Sequence, residues 1–229
     1  MRILRLLFFV GLIAAGAFVI WDNSRGPSET ASAEQTAAQG TVMSFHEAVD
    51  LLAVMPEDRR QYTRSSFGDG WADLDNDCQD TRAEVLARES LVPVEKDCRV
   101  VRGTWHSYYD DKTWTKSFQI QIDHIVPLAE AWDSGAYAWD ADTRMRFAND
   151  LGDRRALVPT TTALNYEKLA DDPQGYVPKV NACRYISSWV AVKLRWNMTA
   201  DRREHDAIKK AAKSCPVAKL TVARAKVTP

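Results

Sequence analysis

A short strand that ends in two ionisable residues constrains the fold of this chain most. Residues 118–122 read Phe-Gln-Ile-Gln-Ile, and this alternation of apolar and polar side chains has the period of a strand with one buried face. The alternation ends at Asp123 and His124, and Pro127 closes the element. The sequence thus places a carboxylate and an imidazole side by side at a strand end. An isolated pair of this kind fits either a structural histidine oriented by its neighbour or a catalytic site.

The segments that follow bear on this choice. Residues 156–160, Ala-Leu-Val-Pro-Thr, predict a second short strand, and Thr161 or Thr162 can cap a helix that begins directly after it. This helix carries Asn165 and, about one turn later, Lys168. The predicted order is therefore a strand with Asp-His, a long connection, a second strand, and a helix with Asn.

That order supplies the groups that phosphodiester hydrolysis with a single metal ion requires. The oxygens of Asp123 and Asn165 are hard ligands suited to Mg²⁺ or a similar cation. The imidazole of His124 is the type of side chain that serves as a general base near neutral pH. Lys168 is placed to meet the scissile phosphate. The ion itself neutralises the phosphate and the leaving oxygen.

The N-terminus predicts export. A positively charged start precedes an uncharged apolar run from Leu6 to Trp21, and a polar stretch follows up to Gly40. Small residues at 31–33 offer a cleavage site, although an uncleaved membrane tether through residues 3–21 stays open. We divide the chain into a signal peptide or membrane anchor with a flexible linker (residues 1–40), a single folded domain (41–217) and a basic, disordered tail (218–229).

The cysteines agree with export. There are four of them, and an even number in an exported chain predicts two disulfides. Three pairings are possible, and we favour Cys78 with Cys98 and Cys183 with Cys215, because each pair encloses one local unit. A zinc site is disfavoured because the chain contains no Cys-x-x-Cys spacing.

The remaining segments predict a mainly helical domain with one β-hairpin. Residues 44–47 and 81–84 are capping boxes that open helices, the second running to about Ser90. Residues 98–115 predict a hairpin that turns at two aspartates. Two further helices are expected at residues 183–196 and 201–214, with Lys193, Lys209, Lys210 and Lys213 facing outward.

Six segments, taken in chain order, carry a family resemblance. They are Cys78–Leu86, Asp123–Trp132, Ala148–Leu151, Asn165–Lys168, Asp172-Pro173 and Cys183–Trp196. In this order they resemble the HNH, or ββα-metal, nuclease superfamily, and in particular an exported bacterial branch related to the C-terminal domain of GmrSD-type restriction enzymes. The resemblance extends from about Ser44 to Cys215. It implies an α+β fold in which a ββα-metal (HNH, His-Me finger) core lies within residues 41–217.

The resemblance also implies roles for individual residues. His124 would be the general base, Asp123 and Asn165 the metal ligands, and Asn149 the residue that braces the loop and the base. Many relatives have a second histidine where Asn165 stands. Oxygen ligands alone favour Mg²⁺ as the divalent metal, with Mn²⁺, Ca²⁺ or Zn²⁺ as alternatives. Further candidates for supporting the ligands or contacting the substrate are Glu130, Arg82 and Glu84.

The implied activity is endonucleolytic hydrolysis of nucleic acid with low sequence specificity. DNA is the expected substrate and RNA the alternative, and the enzyme is expected to be a monomer without an organic cofactor. The formal net charge of −1 and the pI of about 6.4 mean that any basic patch must be local. A Ser- or Cys-nucleophile hydrolase is disfavoured because no Gly-x-Ser-x-Gly motif occurs. A non-catalytic nucleic-acid or cell-surface binding protein that keeps this fold remains the alternative.

Overall fold

The computed structural model describes residues 40–95, 97–217 and 219–229. The predicted signal or anchor segment and almost all of its linker, residues 1–39, lie outside this part of the chain. Within the described part, no helix is long and apolar enough to cross a bilayer.

The described residues form a mixed α/β structure with seven α-helices and three two-stranded sheets. The strands are β1 (Thr41–Ser44), β2 (Arg102–Ser107), β3 (Lys112–Lys116), β4 (Ile120–His124), β5 (Leu157–Thr161) and β6 (Lys219–Val222). The helices are α1 (Phe45–Asp50), α2 (Thr81–Glu89), α3 (Leu128–Asp133), α4 (Ala141–Ala148), α5 (Thr162–Lys168), α6 (Ala182–Arg195) and α7 (Arg202–Ala212).

The pairing of β4 with β5 positions the two ionisable residues. The strands run antiparallel, with Asp123 opposite Val158 and His124 opposite Leu157. The helix α5 starts directly after β5 and packs across both strands. Nearly all residues of the two strands are buried, so their side chains are fixed by packing on both faces. The predicted order of strand, strand and helix is confirmed at the level of secondary structure.

The first strand of this pair is shorter than predicted. Residues 117–119 form a 3-10 turn, and Phe118 is 73% exposed. The strand begins at Ile120 because its partner residue, Thr161, is the last residue of β5. Before Ile120 the chain leaves this pairing, since the N–H of Ser117 donates to the carbonyl of Val101, and Phe118 does not lie on a buried strand face.

Local capping explains where two helices begin. Ser44 and Glu47 form the predicted capping box at the start of α1. The cap of α2 is one residue earlier than predicted, because the side chain of Asp80 accepts the N–H of Ala83. The hydroxyl of Thr81 instead donates to a loop carbonyl.

The predicted hairpin and both predicted disulfides are present. Strands β2 and β3 pair across a turn in which Asp111 adopts the left-handed conformation, with φ of 58°. Cys78 is bonded to Cys98, which ties the loop before α2 to the segment that enters the hairpin. Cys183 is bonded to Cys215, which joins the start of α6 to the segment after α7.

The C-terminal segment is part of the fold, and the prediction of a disordered tail is wrong. Strand β6 pairs antiparallel with β1, and its Leu220 and Val222 are buried. Beyond the strand, the N–H of Ala225 donates to the carbonyl of Arg195 at the end of α6. The tail is basic in composition, but its apolar residues alternate with the basic ones and cover the domain.

Lys193 is buried, although the helix pattern predicted an outward side chain. Its ammonium lies 2.7 Å from Glu130 Oε1 and 2.6 Å from Glu204 Oε2, and it also donates to Ser134 Oγ. Burial raises the pKa of Glu204 to about 7, while the neighbouring Lys193 opposes that shift. The two carboxylates come from α3 and α7, so the lysine on α6 links three helices.

Replacing Lys193 with methionine should destabilise the domain by about 3–5 kcal/mol, because it leaves two buried carboxylates without their cation. Thermal or urea unfolding followed by circular dichroism measures the change. The matched control is Lys209→Met on α7, which removes an exposed ion pair with Asp50 and should leave unfolding unchanged. Equal stability of the two variants would contradict this account of the cluster.

Candidate active site

Asp123 is buried at the end of β4, and both of its carboxylate oxygens accept hydrogen bonds. Lys168 Nζ lies 3.0 Å from Oδ1, and the Tyr109 hydroxyl donates to Oδ2 at 2.7 Å. The same ammonium donates to the carbonyl oxygen of His124 at 2.8 Å. Burial lowers the pKa of Lys168, and the negative charge of Asp123 opposes this shift. The ion pair therefore fixes the strand end to the helix α5.

The imidazole of His124 is held by stacking and by one hydrogen bond. The ring of Trp71 stacks on it with centroids 5.1 Å apart, and Phe147 stacks at 6.4 Å. Nε2 lies 2.8 Å from the carbonyl oxygen of Ala148. A carbonyl only accepts hydrogen bonds, so Nε2 carries the hydrogen and Nδ1 is the basic nitrogen. Burial lowers the pKa of His124 to about 4, which keeps the ring neutral at neutral pH.

Asn149 fixes the loop that covers His124. Its side-chain oxygen accepts the N–H of Ala72 at 2.9 Å, and its amide nitrogen donates to the carbonyl of Met145 at 2.9 Å. Ala72 directly follows Trp71, the residue that stacks on the imidazole. Asn149 therefore contacts the imidazole of His124 only indirectly, through the loop and its tryptophan.

A cleft of about 360 Å³ is lined by three of the predicted site residues. Asp123, His124 and Asn165 all line it. Asn165 is half-buried on α5, and its side-chain amide forms no hydrogen bond with any residue in the described part of the chain. Arg64 and the 70%-exposed Tyr166 complete the rim of the same cleft. The cleft thus offers an imidazole nitrogen and two types of oxygen donor to one ligand.

Lys168 does not line this cleft. Its side chain is fully buried beneath β4, where it pairs with Asp123. The predicted contact with a scissile phosphate is therefore wrong for this lysine. Helical spacing correctly places Lys168 one turn after Asn165, but its ammonium pairs with the carboxylate of Asp123 inside the protein.

Glu130, Arg82 and Glu84 also lie outside the cleft. Glu130 is bound to Lys193 and Ser134 at the junction of three helices. Arg82 donates from Nη2 to the carbonyl oxygens of Ser117 and Ile120, so it fixes the start of β4. Burial raises the pKa of Glu84, and the next contributions come from the aspartates of the 73–77 loop. Glu130 and Arg82 thus hold neighbouring elements in place, and none of the three residues lines the cleft.

Comparison with known proteins places the chain in a family. The family described as "GmrSD restriction endonucleases, C-terminal domain" matches residues 76–211. The chain belongs to this family. An "Uncharacterized secreted protein" of Arthroderma benhamiae is 33% identical over 168 residues, which cover 72% of this chain and 81% of the relative. No solved structure matches the chain.

Part of the site in this GmrSD-type domain precedes the matched residues. The sequence patterns assign no role to segment 62–72, yet Trp71 stacks on the imidazole of His124 and Arg64 lines the cleft beside it. The signal in the sequence was the pair of aromatic residues, Phe67 and Trp71, in a glycine-containing stretch. Aromatic side chains in a loop are buried only if the loop packs on the domain.

The donor set of the cleft fits a hard divalent cation. Asp123 and Asn165 offer carboxylate and amide oxygens on neighbouring elements, and no sulfur ligand is near because all four cysteines form disulfides. The positive charge of Lys168 on Asp123 reduces the charge that this carboxylate offers. Two other carboxylate clusters occur among the described residues, Glu57 with Glu130 and Asp172, and the exposed Asp73, Asp75 and Asp77.

Replacing Lys168 with methionine should destabilise the GmrSD-type domain by about 3–5 kcal/mol, because Asp123 is then buried without a cation. The double variant Lys168→Met/Asp123→Asn should recover part of this loss, since the neutral amide still accepts from Tyr109. Urea unfolding of the wild type, the two single variants and the double variant gives the coupling free energy. Additive losses would show that the two side chains do not interact.

Proposed function

We propose that this chain is an exported, metal-dependent endonuclease of the HNH type. It hydrolyses phosphodiester bonds of nucleic acid, DNA first, with low sequence specificity. The observation that carries the proposal is the hydrogen bond from Nε2 of His124 to Ala148, which leaves Nδ1 to accept a proton, in a cleft that Asp123 and Asn165 also line. The membership in a family of restriction endonuclease domains supports a nucleic acid as substrate.

In this proposal His124 is the general base. Nδ1 accepts a proton from the attacking water, whose oxygen forms a bond to phosphorus while the bond to the leaving oxygen breaks. The hydrogen bond from Nε2 to the carbonyl oxygen of Ala148 leaves Nδ1 as the nitrogen that accepts this proton. The low pKa of the ring keeps it unprotonated before the reaction. Stacking by Trp71 fixes the direction in which Nδ1 points.

Asp123 and Asn165 are the residues that hold the metal ion in this proposal. The bound ion, Mg²⁺ or else Mn²⁺, Ca²⁺ or Zn²⁺, supplies positive charge to the phosphate and the leaving oxygen. Lys168 and Tyr109 keep the carboxylate of Asp123 in one orientation. The strand and the helix that carry the two ligands pack against each other, so the two side chains are preorganised for binding the ion.

Export and a nucleolytic role are compatible with the chemistry of the domain. Two disulfides suit an oxidising compartment, and the relative from Arthroderma benhamiae is described as secreted. We expect a monomer, since the catalytic groups all come from one chain. A cysteine nucleophile is ruled out because every cysteine is oxidised in a disulfide.

Replacing His124 with alanine should lower the rate of plasmid nicking in Mg²⁺ by about 10²–10⁴-fold, the usual contribution of a general base. Addition of EDTA should stop cleavage by the wild type. The matched control is His106→Ala on the hairpin, where the imidazole pairs with Asp111 and is not among the residues that line the cleft. This variant should cleave at the wild-type rate.

Undiminished cleavage by His124→Ala would refute the assignment of the base. Absence of cleavage by the wild type with all four ions, on DNA and on RNA, would favour a non-catalytic binding protein that keeps the fold.

A further inference from the structure

Arg64 lies at the mouth of the candidate active site. It opens a 3-10 turn, Arg64–Phe67, and its side chain is exposed. It lines the cleft that contains Asp123 and Asn165, and it also lines a smaller cavity that contains Trp71. Both cavities share His124. Arg64 is therefore a lining residue of two cavities that His124 also lines.

Most arginines in the described part of the chain pair with another residue there, and Arg64 differs from them. Within residues 40–95, 97–217 and 219–229 it forms no hydrogen bond or ion pair. By contrast, Arg195 pairs with Asp150, and Arg155 pairs with Asp153. The guanidinium of Arg64 keeps its positive charge at any working pH. An anion in the cleft would meet this charge directly.

The backbone that carries Arg64 is anchored to the same aromatic cluster as the base. Phe67 is buried, with ring centroids 6.3 Å from Trp132 and 6.0 Å from Phe147. Phe147 also stacks against His124. Arg144 donates from Nε to the carbonyl of Ser66 in the same turn. The start of the Arg64 side chain is thus fixed relative to the imidazole, which reduces the entropy cost of binding a ligand between them.

We propose that Arg64 binds a non-bridging oxygen of the substrate phosphate at the reacting position. This inference rests on the proposed nuclease function and deepens it. The planar guanidinium offers paired N–H donors that match phosphate oxygens, and its charge is retained at any working pH. Arg64 thereby takes the role that the buried Lys168 cannot fill. The residue lies outside residues 76–211, so the match to the family does not assign it.

The test measures cleavage of a DNA duplex in Mg²⁺ by the wild type, Arg64→Ala, Arg64→Lys and the control Arg202→Ala. Arg202 is another exposed arginine, at the start of α7 and outside the cleft lining. We expect kcat/KM to fall about 100-fold in Arg64→Ala, about tenfold in Arg64→Lys, and less than twofold in Arg202→Ala.

The dependence on salt separates phosphate binding from a structural role. The slope of log kcat/KM against log salt concentration should be shallower by about 0.9 in Arg64→Ala, because one phosphate contact is lost. A variant that only disturbs the fold would lose activity without this change in slope. Circular dichroism checks that each variant is folded. If Arg64→Ala does not fold, the inference is tested with Arg64→Lys alone. Wild-type kinetics in Arg64→Lys would then overturn the inference.

The outcomes for this inference and for the proposed function are distinguishable. If the wild type cleaves, His124→Ala does not, and Arg64→Ala behaves like Arg202→Ala, the inference on Arg64 is overturned and the nuclease function stands. If the wild type cleaves no nucleic acid with any of the four ions, the proposed function fails and this inference fails with it.

Discussion

The buried ion pair between Lys168 and Asp123 is the interaction on which the site depends. It joins the end of β4 to the end of α5, and the lysine also holds the carbonyl of His124. Two opposite charges away from water stabilise the fold only when they stay together, so loss of either partner is costly. The hydroxyl of Tyr109 binds the remaining carboxylate oxygen. These contacts determine which way the Asp-His pair faces, and the helix that bears Asn165 is held at the same strand end.

The site is assembled from two parts of the chain that differ in character. The strand pair and α5 lie within residues 76–211, which match the family, and they carry His124, Asp123 and Asn165. The segment 62–72 precedes the match and covers the imidazole with Trp71. Asn149 connects the parts by accepting the N–H of Ala72. The cleft residues thus come from a short motif, whereas the orientation of the His124 ring depends on a loop whose position requires long-range contacts.

The elements that local patterns determine were predictable from the sequence. Alternation and capping predicted the hairpin, the Asp-His strand and the helix that follows the second strand. Both disulfides were predicted because each cysteine pair encloses one local unit. The errors concern long-range pairing. Both Lys168 and Lys193 look like surface residues in a helical pattern, but each is buried against carboxylates that lie far away in sequence. The local sequence pattern of one helix carries no information about such partners. For the same reason, the pattern did not predict the contacts of segment 62–72 or the strand in the C-terminal tail.

The proposed function requires that the cleft with Asp123 and Asn165 bind a divalent metal ion. Its most direct test is Mn²⁺ binding, followed by electron paramagnetic resonance, to His124→Ala protein with an intact DNA oligonucleotide. Adding Asn165→Ala should weaken binding about tenfold or more, whereas Glu57→Gln, in the separate carboxylate cluster, should leave it unchanged. Loss of Mn²⁺ binding with Glu57→Gln and its retention with Asn165→Ala would contradict the account.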